Sequence, residues 1–383
     1  MKICFLTELF PPSMGGQQQR FGELARLLAM QGHQVTVMCI RNSTEAPAEE
    51  ELASGVVVIR RPSLPRYQKP LGGLLTRSPL GMLRYALAAR RLTRAGEFDA
   101  IFLNQWPLLH ILALSRRDRD RSVVDWCEIR HSRLFRLVQS VLPRLVAANT
   151  GVSAQVARHI RRFARDRVLV LPSGINGACY RMDAAGSRGG MLYIGRVTEH
   201  KNLALLIEAF EEMCRRGYQD RLTIAGDGPA LEAVRRRVAS SPSGERIELA
   251  GVVSDERKYN LLAGARLLML TSQREGFPRV VAEAMASGLP VITARYPQNG
   301  TVGVVEDYQC GLCAEPTAGA LADAAQTVLA DWDTWSARSH RPAGGLEWSI
   351  LVQQFEALLI ETAMSAGNPG RAQQTEGVSC ESW

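Results

Sequence analysis

Two carboxylates, Glu275 and Glu283, flank the start of a short apolar helix in "REGFPRVVAEAMASGLPVITA" (274–294). Glu275 precedes a Gly-Phe-Pro turn, so it stands at the mouth of that helix, where it can accept hydrogen bonds from the hydroxyls of a ligand. Glu283 lies more than a turn inside, among Val280, Val281, Ala282, Ala284, Met285 and Ala286. A carboxylate in such a run needs a hydrogen-bonding partner, and its two oxygens suit a 1,2-diol such as a ribose. If the helix starts near Pro278, its first turn offers unpaired N–H groups and a partial positive charge, a natural seat for phosphate oxygens.

Upstream, "YIGRVTEHKN" (193–202) brings Gly195, Arg196 and Lys201 to the end of an apolar run. A forked guanidinium and a point-charge ammonium suit adjacent oxygens of a pyrophosphate; the alternative is a pair of solvated loop charges. "IAGDGP" (224–229) sets Gly226 and Gly228 around Asp227 in a turn tight enough to pass beneath a ligand. "GVVSDERKYNLL" (251–262) puts Val253 ahead of a helix capped by Ser254 or Asp255. Near the N-terminus, Gly15 and Gly16 open a helix after two prolines. Paired glycines let backbone N–H groups approach an anion, although a plain tight turn has the same signature. The G-x-G-x-x-G fingerprint of a dinucleotide site is lacking.

The elements that must hold these loops alternate as strand and helix. "KICFLTEL", "QVTVMCI", "VVVIRR", "FDAIFLNQ", "SVVDW" and "VLVLPSG" read as strands, with amphipathic stretches such as "LGMLRYALAARRLTRAG" between most of them. The pattern restarts after a Gly-rich segment with "MLYIGR", "RLTIAGDG", "RIELAG" and "RLLMLTS". The expected fold class is α/β, two facing doubly wound Rossmann-like domains with the active-site cleft between them. The expected bounds are a first domain over 1–172 and a second over 173–346. A helix over 347–364 is expected to pack back toward the first domain, and a polar, disordered tail to follow over 365–383.

The chain has 383 residues, a net charge of +8 and 8 cysteines. No apolar run approaches the roughly 18 residues of a membrane span, and "MKICFLTELFPP" reads as a first strand, so a cytoplasmic location is expected. Cys310 and Cys313 form a C-x-x-C without a second pair at zinc spacing, which favours free thiols and no metal. Arginine concentrates in "RHIRRFARDR" (158–167), and "PSLPRYQKPLGGLLTRSP" (62–79) is a basic loop. Together they leave room for weak association with the inner membrane face. No aromatic-interleaved basic strand or recognition helix supports nucleic-acid binding.

These motifs in this order resemble the family 4 glycosyltransferases of the GT-B arrangement. The resemblance spans nearly the whole chain and is most specific at the E-x7-E of Glu275 and Glu283. "GRVTEHKN", "AGDGP", "LPSGINGACY" (171–180) and "NGTVGVVEDYQCGLCAEP" (299–316) add to it. It implies retaining transfer of a sugar from a nucleoside-diphosphate donor, uridine diphosphate being the family's commonest carrier, to a hydroxyl acceptor. The product would be a cell-surface glycan or a small metabolite such as an aminocyclitol antibiotic. No cofactor or metal is required. Arg196 and Lys201 would hold the diphosphate, with Gly195, Gly226 and Gly16 close by. Glu283 would bind the ribose and Glu275 the donor sugar. The N–H groups of Gly276 and Phe277 would lie near sugar and phosphate, and Val253 near the base.

Three departures stand out. Pro278 removes an N–H donor where the family often has glycine, and Arg279 follows where an apolar residue is common. The histidine the family often carries after a strand of the first domain has no clear counterpart in "VVDWCEIRH". Asp125, Glu128 and His131 compete for that role, with Glu128 or His131 favoured. Two other readings are a nucleotide-sugar epimerase on the same fold and a degenerate nucleotide-sugar-binding protein. Oligomeric state is left open.

Overall fold

The computed structural model describes residues 1–13, 15–43, 45–64, 78–129 and 133–367. The chain divides into two units. The first comprises Met1–Gly151, Ala157–Leu171 and the chain from Val352 onward; the second comprises Val152–Val156 and Pro172–Leu351.

In the first stretch of chain the elements are β1 (Lys2–Leu6), α1 (Gly16–Met30), β2 (Gln34–Arg41), β3 (Glu49–Glu51), β4 (Val57–Ser63), α2 (Pro79–Ala95) and β5 (Ala100–Asn104). They continue with α3 (Leu109–Ala113), α4 (Arg116–Arg119), β6 (Ser122–Trp126), α5 (Arg133–Val141), β7 (Ala148–Gly151), α6 (Ala154–Arg161) and β8 (Val168–Val170). The eight strands form one sheet in the order β3-β4-β2-β1-β5-β6-β7-β8, parallel except where β3 runs against β4. β1 pairs with β2 on one side and β5 on the other, so the winding reverses between β1 and β5. Strands buried on both faces explain the apolar runs: all five residues of β5 and of β6 are buried.

The second unit adds β9 (Met191–Ile194), α7 (Leu203–Arg215), β10 (Leu222–Ala225), α8 (Leu231–Ala239), β11 (Ile247–Gly251), α9 (Asp255–Gly264) and β12 (Leu267–Leu270). Then come β13 (Arg274–Glu275), α10 (Arg279–Ala286), β14 (Val291–Ala294), β15 (Gln298–Asn299), α11 (Thr301–Tyr308), β16 (Gly311–Ala314), α12 (Ala318–Ala330), α13 (Trp332–His340) and α14 (Trp348–Gly367). Its main sheet has the order β11-β10-β9-β12-β14-β16, all parallel, and reverses between β9 and β12. β13 and β15 form a separate two-stranded ribbon. One core of leucine, isoleucine and methionine from both sheet faces fills this unit, with Phe210 and Tyr193 among its largest side chains.

The last helix differs from its expected span. α14 continues through Gly367, past the expected end at 364, because nothing in "ETAMSAG" breaks it before the glycine. Within the first unit its Phe355 ring lies 4.5 Å from Phe102 and 6.3 Å from Phe5. The rest of the expected tail, residues 368–383, lies outside the described residues, as does 65–77 of the basic loop.

Candidate active site

Parallel doubly wound sheets place ligands beyond the carboxyl ends of their strands, where the winding reverses. In the second unit that point is bordered by the loops after β9 and β12. The β9 loop leaves through Gly195 and Arg196 and makes a short 3-10 turn over Glu199–Lys201. It then passes Asn202 in the left-handed region at φ 50°. The β12 loop fixes it there: Thr271 Oγ1 donates to the carbonyls of Lys201 at 3.0 Å and Asn202 at 2.9 Å. Lys201 thus reaches across the reversal point, where Lys201 Nζ donates to Glu275 Oε1 in an ion pair with both side chains largely buried. Ser272 Oγ donates to the same oxygen at 3.0 Å. Glu275 and Lys201, expected to serve sugar and diphosphate separately, are partners of each other.

Beside them Arg196 is exposed. His200 is half-buried, with Nδ1 3.1 Å from Thr198 Oγ1. Burial, then the charges of Lys201, Arg274 and Arg196, lower the His200 pKa, against the pull of Glu275. The imidazole therefore stays neutral near pH 7 and adds no charge to the cluster.

The glycines are steric requirements. Gly226 has φ 141°, and a Cβ there would stand 1.8 Å from the Gly195 carbonyl oxygen. The β9 and β10 loops are pressed together, as the 3.0 Å bond from Gly195 N–H to the Ala225 carbonyl confirms. Gly276 and Phe277 lead from Glu275 into α10, whose cap is Pro278 and which has no side-chain cap on its first turn. That is the expected helix start, and within it the Val281 N–H donates to the Pro278 carbonyl at 2.9 Å.

Glu283 is only 4 % exposed. Its Oε1 lies 3.2 Å from Lys258 Nζ, on α9, and 3.2 Å from Arg279 Nε, one turn earlier on α10. Burial lowers the Lys258 pKa, but the charges of Glu283 and Asp255 outweigh it and the net shift is upward. Burial, followed by the Glu283 charge, raises the Tyr180 phenol, which stays protonated as a donor. Ser254 caps α9 by accepting from Arg257 N–H at 3.2 Å, and half-buried Val253 precedes it.

In the first unit the three competitors for the family's histidine separate. Asp125 is fully buried. Arg20 grips both its oxygens, Nη2 to Oδ1 at 3.1 Å, and Thr150 Oγ1 donates to Oδ1 at 2.6 Å. Asp125 is thereby a brace between α1, β6 and β7, and it is removed from the candidates. Glu128 is half-buried just past β6, its N–H 3.4 Å from Gln105 Oε1 and its carbonyl accepting from Gln139 Nε2 at 2.9 Å. His131 lies outside the described residues. Gly16 opens α1, and a Cβ there would meet nothing within 4 Å. The described cysteines are all free, Cys310 buried and Cys313 half-buried.

The profile of a family described as "Glycosyl transferases group 1" matches residues 185–341, and that of the "Glycosyl transferase 4-like domain" matches 15–174. The chain belongs to the family 4 glycosyltransferases. Among its relatives is a GDP-mannose-dependent alpha-(1-6)-phosphatidylinositol dimannoside mannosyltransferase of Mycobacterium tuberculosis. It is 25 % identical over 356 residues, 86 % of this chain and 88 % of the relative. Among solved structures, sucrose-phosphate synthase from Thermosynechococcus elongatus matches with a TM-score of 0.76 at 18 % identity, over 95 % of this chain and 99 % of the other. The Anabaena protein HepE, in complex with UDP and glucose, matches with a TM-score of 0.70 at 20 % identity, over 94 % and 100 %. The fold is that of GT-B glycosyltransferases.

Several polar groups of this candidate site were not singled out from the sequence. Lys258 and Tyr180 accompany Glu283, while Ser272 and Thr271 hold the Lys201–Glu275 pair. Lys258 reads locally as one charge on a surface helix. Its relation to Glu283 across 25 residues leaves no spacing signal. Among the described residues no helix is long and apolar enough to cross a membrane, and no three metal-ligating side chains gather.

Proposed function

We propose that this glycosyltransferase moves a sugar from a nucleoside-diphosphate donor to a hydroxyl acceptor with retention at the anomeric carbon. The observation that carries the reading is the strand-end cluster of the second unit. Lys201 bridges to Glu275 at the point where the winding reverses, Arg196 is exposed beside it, and α10 begins there without a cap. The difficult step is departure of the nucleotide while an oxocarbenium-like sugar forms. Charge grows on the leaving diphosphate, and Arg196, Lys201 and the α10 N–H groups neutralise it. A donor releases Lys201 from Glu275 toward phosphate and frees the Glu275 carboxylate for sugar hydroxyls. Glu283, flanked by Lys258 and Tyr180, accepts from the ribose diol, with Val253 near the base. The attacking hydroxyl enters on the face the diphosphate leaves, and the departing phosphate takes its proton. Glu128 serves as a sugar or acceptor contact.

A GDP-mannose-dependent relative and a UDP-bound structural neighbour both favour a nucleoside diphosphate as leaving group. Uridine remains the proposed base. The acceptor is a hydroxyl of a cell-surface glycan or of a small metabolite such as an aminocyclitol. The test is a screen of UDP- and GDP-sugars for nucleotide release with and without acceptors, followed by proton NMR of the product anomer. The expected product keeps the donor's anomeric configuration. An inverted product overturns the same-face mechanism, and release of no nucleotide from any donor overturns the transfer.

A further inference from the structure

The solvent face of a surface helix is normally polar. α2 departs from this. Its buried face is Gly81, Tyr85, Ala86, Ala89 and Thr93. Its outer face presents Leu80, Leu83 and Leu87, which are 56 %, 48 % and 47 % exposed, on the first turns, and Arg84, Arg91 and Arg94 on the same side. α3, packed against α2, adds Leu109 and Leu112, 37 % and 51 % exposed. Neither helix contains an acidic residue. Exposed Arg116 and Arg117 follow α3, whereas Asp118 beside them is buried and paired with Arg121.

Leucines in this number at the solvent face need a cover, and the arginines beside them select its charge. A protein core does not supply it: the apolar groups of α2 that reach the core are on the opposite face. We propose that the α2–α3 face of the first unit docks on an anionic lipid bilayer, with the leucines entering the headgroup–acyl boundary and the arginines meeting lipid phosphates. Interfacial helices divide their labour in this way between apolar area and cationic rim. The surface differs from the arginine-rich segment 158–167 to which the sequence drew attention, and α2 begins where the basic loop 62–79 ends.

Flotation with phosphatidylcholine vesicles, with and without phosphatidylglycerol, tests it on the full chain. The wild-type protein is expected to float with phosphatidylglycerol vesicles and to stay behind with phosphatidylcholine alone, with binding that weakens as salt rises. Each arginine near such a surface contributes roughly fivefold in affinity, so Arg84→Ala/Arg91→Ala/Arg94→Ala should lose on the order of a hundredfold. Leu80→Ser/Leu83→Ser/Leu87→Ser should abolish flotation while keeping the wild-type melting temperature. Hydrogen exchange on the wild-type chain needs no variant: vesicles should slow exchange in α2 and α3. Absence of flotation with phosphatidylglycerol, or protection elsewhere in the chain, overturns the proposal. So does light scattering in which the leucine variant turns a dimer into a monomer, which assigns the face to a second copy.

Discussion

A carboxylate that is 4 % exposed persists in an interior only in charged or hydrogen-bonding company, and Glu283 has Lys258 and Arg279 within 3.2 Å. Both cations press on one oxygen, Oε1, and the Tyr180 phenol hydrogen-bonds the same carboxylate. Glu283→Gln keeps the shape and removes the charge. A hydrogen bond from a neutral hydroxyl to a charged acceptor is worth about 1.5–3 kcal/mol, so donor KM should rise about tenfold or more. On the proposed role kcat should change less, because a ribose would be bound alike before and during reaction. The same change leaves two cations facing a neutral amide, and urea unfolding should report a loss on the order of 3 kcal/mol. An unchanged KM would remove Glu283 from the donor site.

At the scale of elements, the segment Glu275–Phe277 is aimed by its neighbour across the small ribbon. The Gly300 N–H donates to the Glu275 carbonyl at 2.9 Å, and a Cβ on Gly300 would stand 2.3 Å from the Gly276 oxygen. Gly300→Ala therefore shifts Glu275 and the α10 start. Misplacement of about 1 Å costs on the order of a hundredfold in rate, which steady-state turnover would record. Gly264→Ala, where a Cβ meets nothing within 4 Å, is the control and should turn over as wild type. Full activity in Gly300→Ala would show that this backbone approach does not position the site. The sequence was informative for these elements where burial alone dictates them. β1, β5, β6, β9 and β12 are apolar runs because both sheet faces are covered. β7, "ANTG", gave no such signal. Its Asn149 and Thr150 are buried because Trp126 Nε1 donates to Asn149 and Thr150 donates to Asp125, bonds that exist only once the sheet has formed. Asp125, the competitor not favoured from the sequence, shows the same limit: its type suits chemistry, but Arg20 and Thr150 pair with it. The E-x7-E spacing, the glycine turns and the Lys201 loop stand out in the sequence because each signal lies within one short segment, whereas the Lys201–Glu275 pairing spans 74 residues. The Lys258 and Tyr180 partners of Glu283 were not, because tertiary packing brings them there.

For the stability of the whole molecule, one titrating group stands out away from the site. His110, on α3, is fully buried with its ring 5.8 Å from that of Tyr85, and burial pulls its pKa from 6.5 down to about 3. The folded chain keeps this imidazole neutral, whereas the unfolded chain protonates it below 6.5. Its contribution is thus fully present above pH 6.5 and shrinks as pH falls toward 3, by about 1.4 kcal/mol per pH unit. Urea unfolding at stepped pH should show that slope in the wild type and a shallower one in His110→Leu. Parallel slopes would mean that His110 is protonated in the folded protein.

The central claim is that the strand ends of the second unit grip a nucleoside-diphosphate sugar through Lys201 and Glu275. Single-turnover transfer with the donor selected by screening, compared among wild type, Lys201→Ala and Glu275→Ala, tests it most directly. Loss of one preorganised contact to developing charge costs about 10²–10³ in rate, so both variants should slow by that factor while keeping the wild-type circular dichroism spectrum. Wild-type rates in either folded variant would contradict the account.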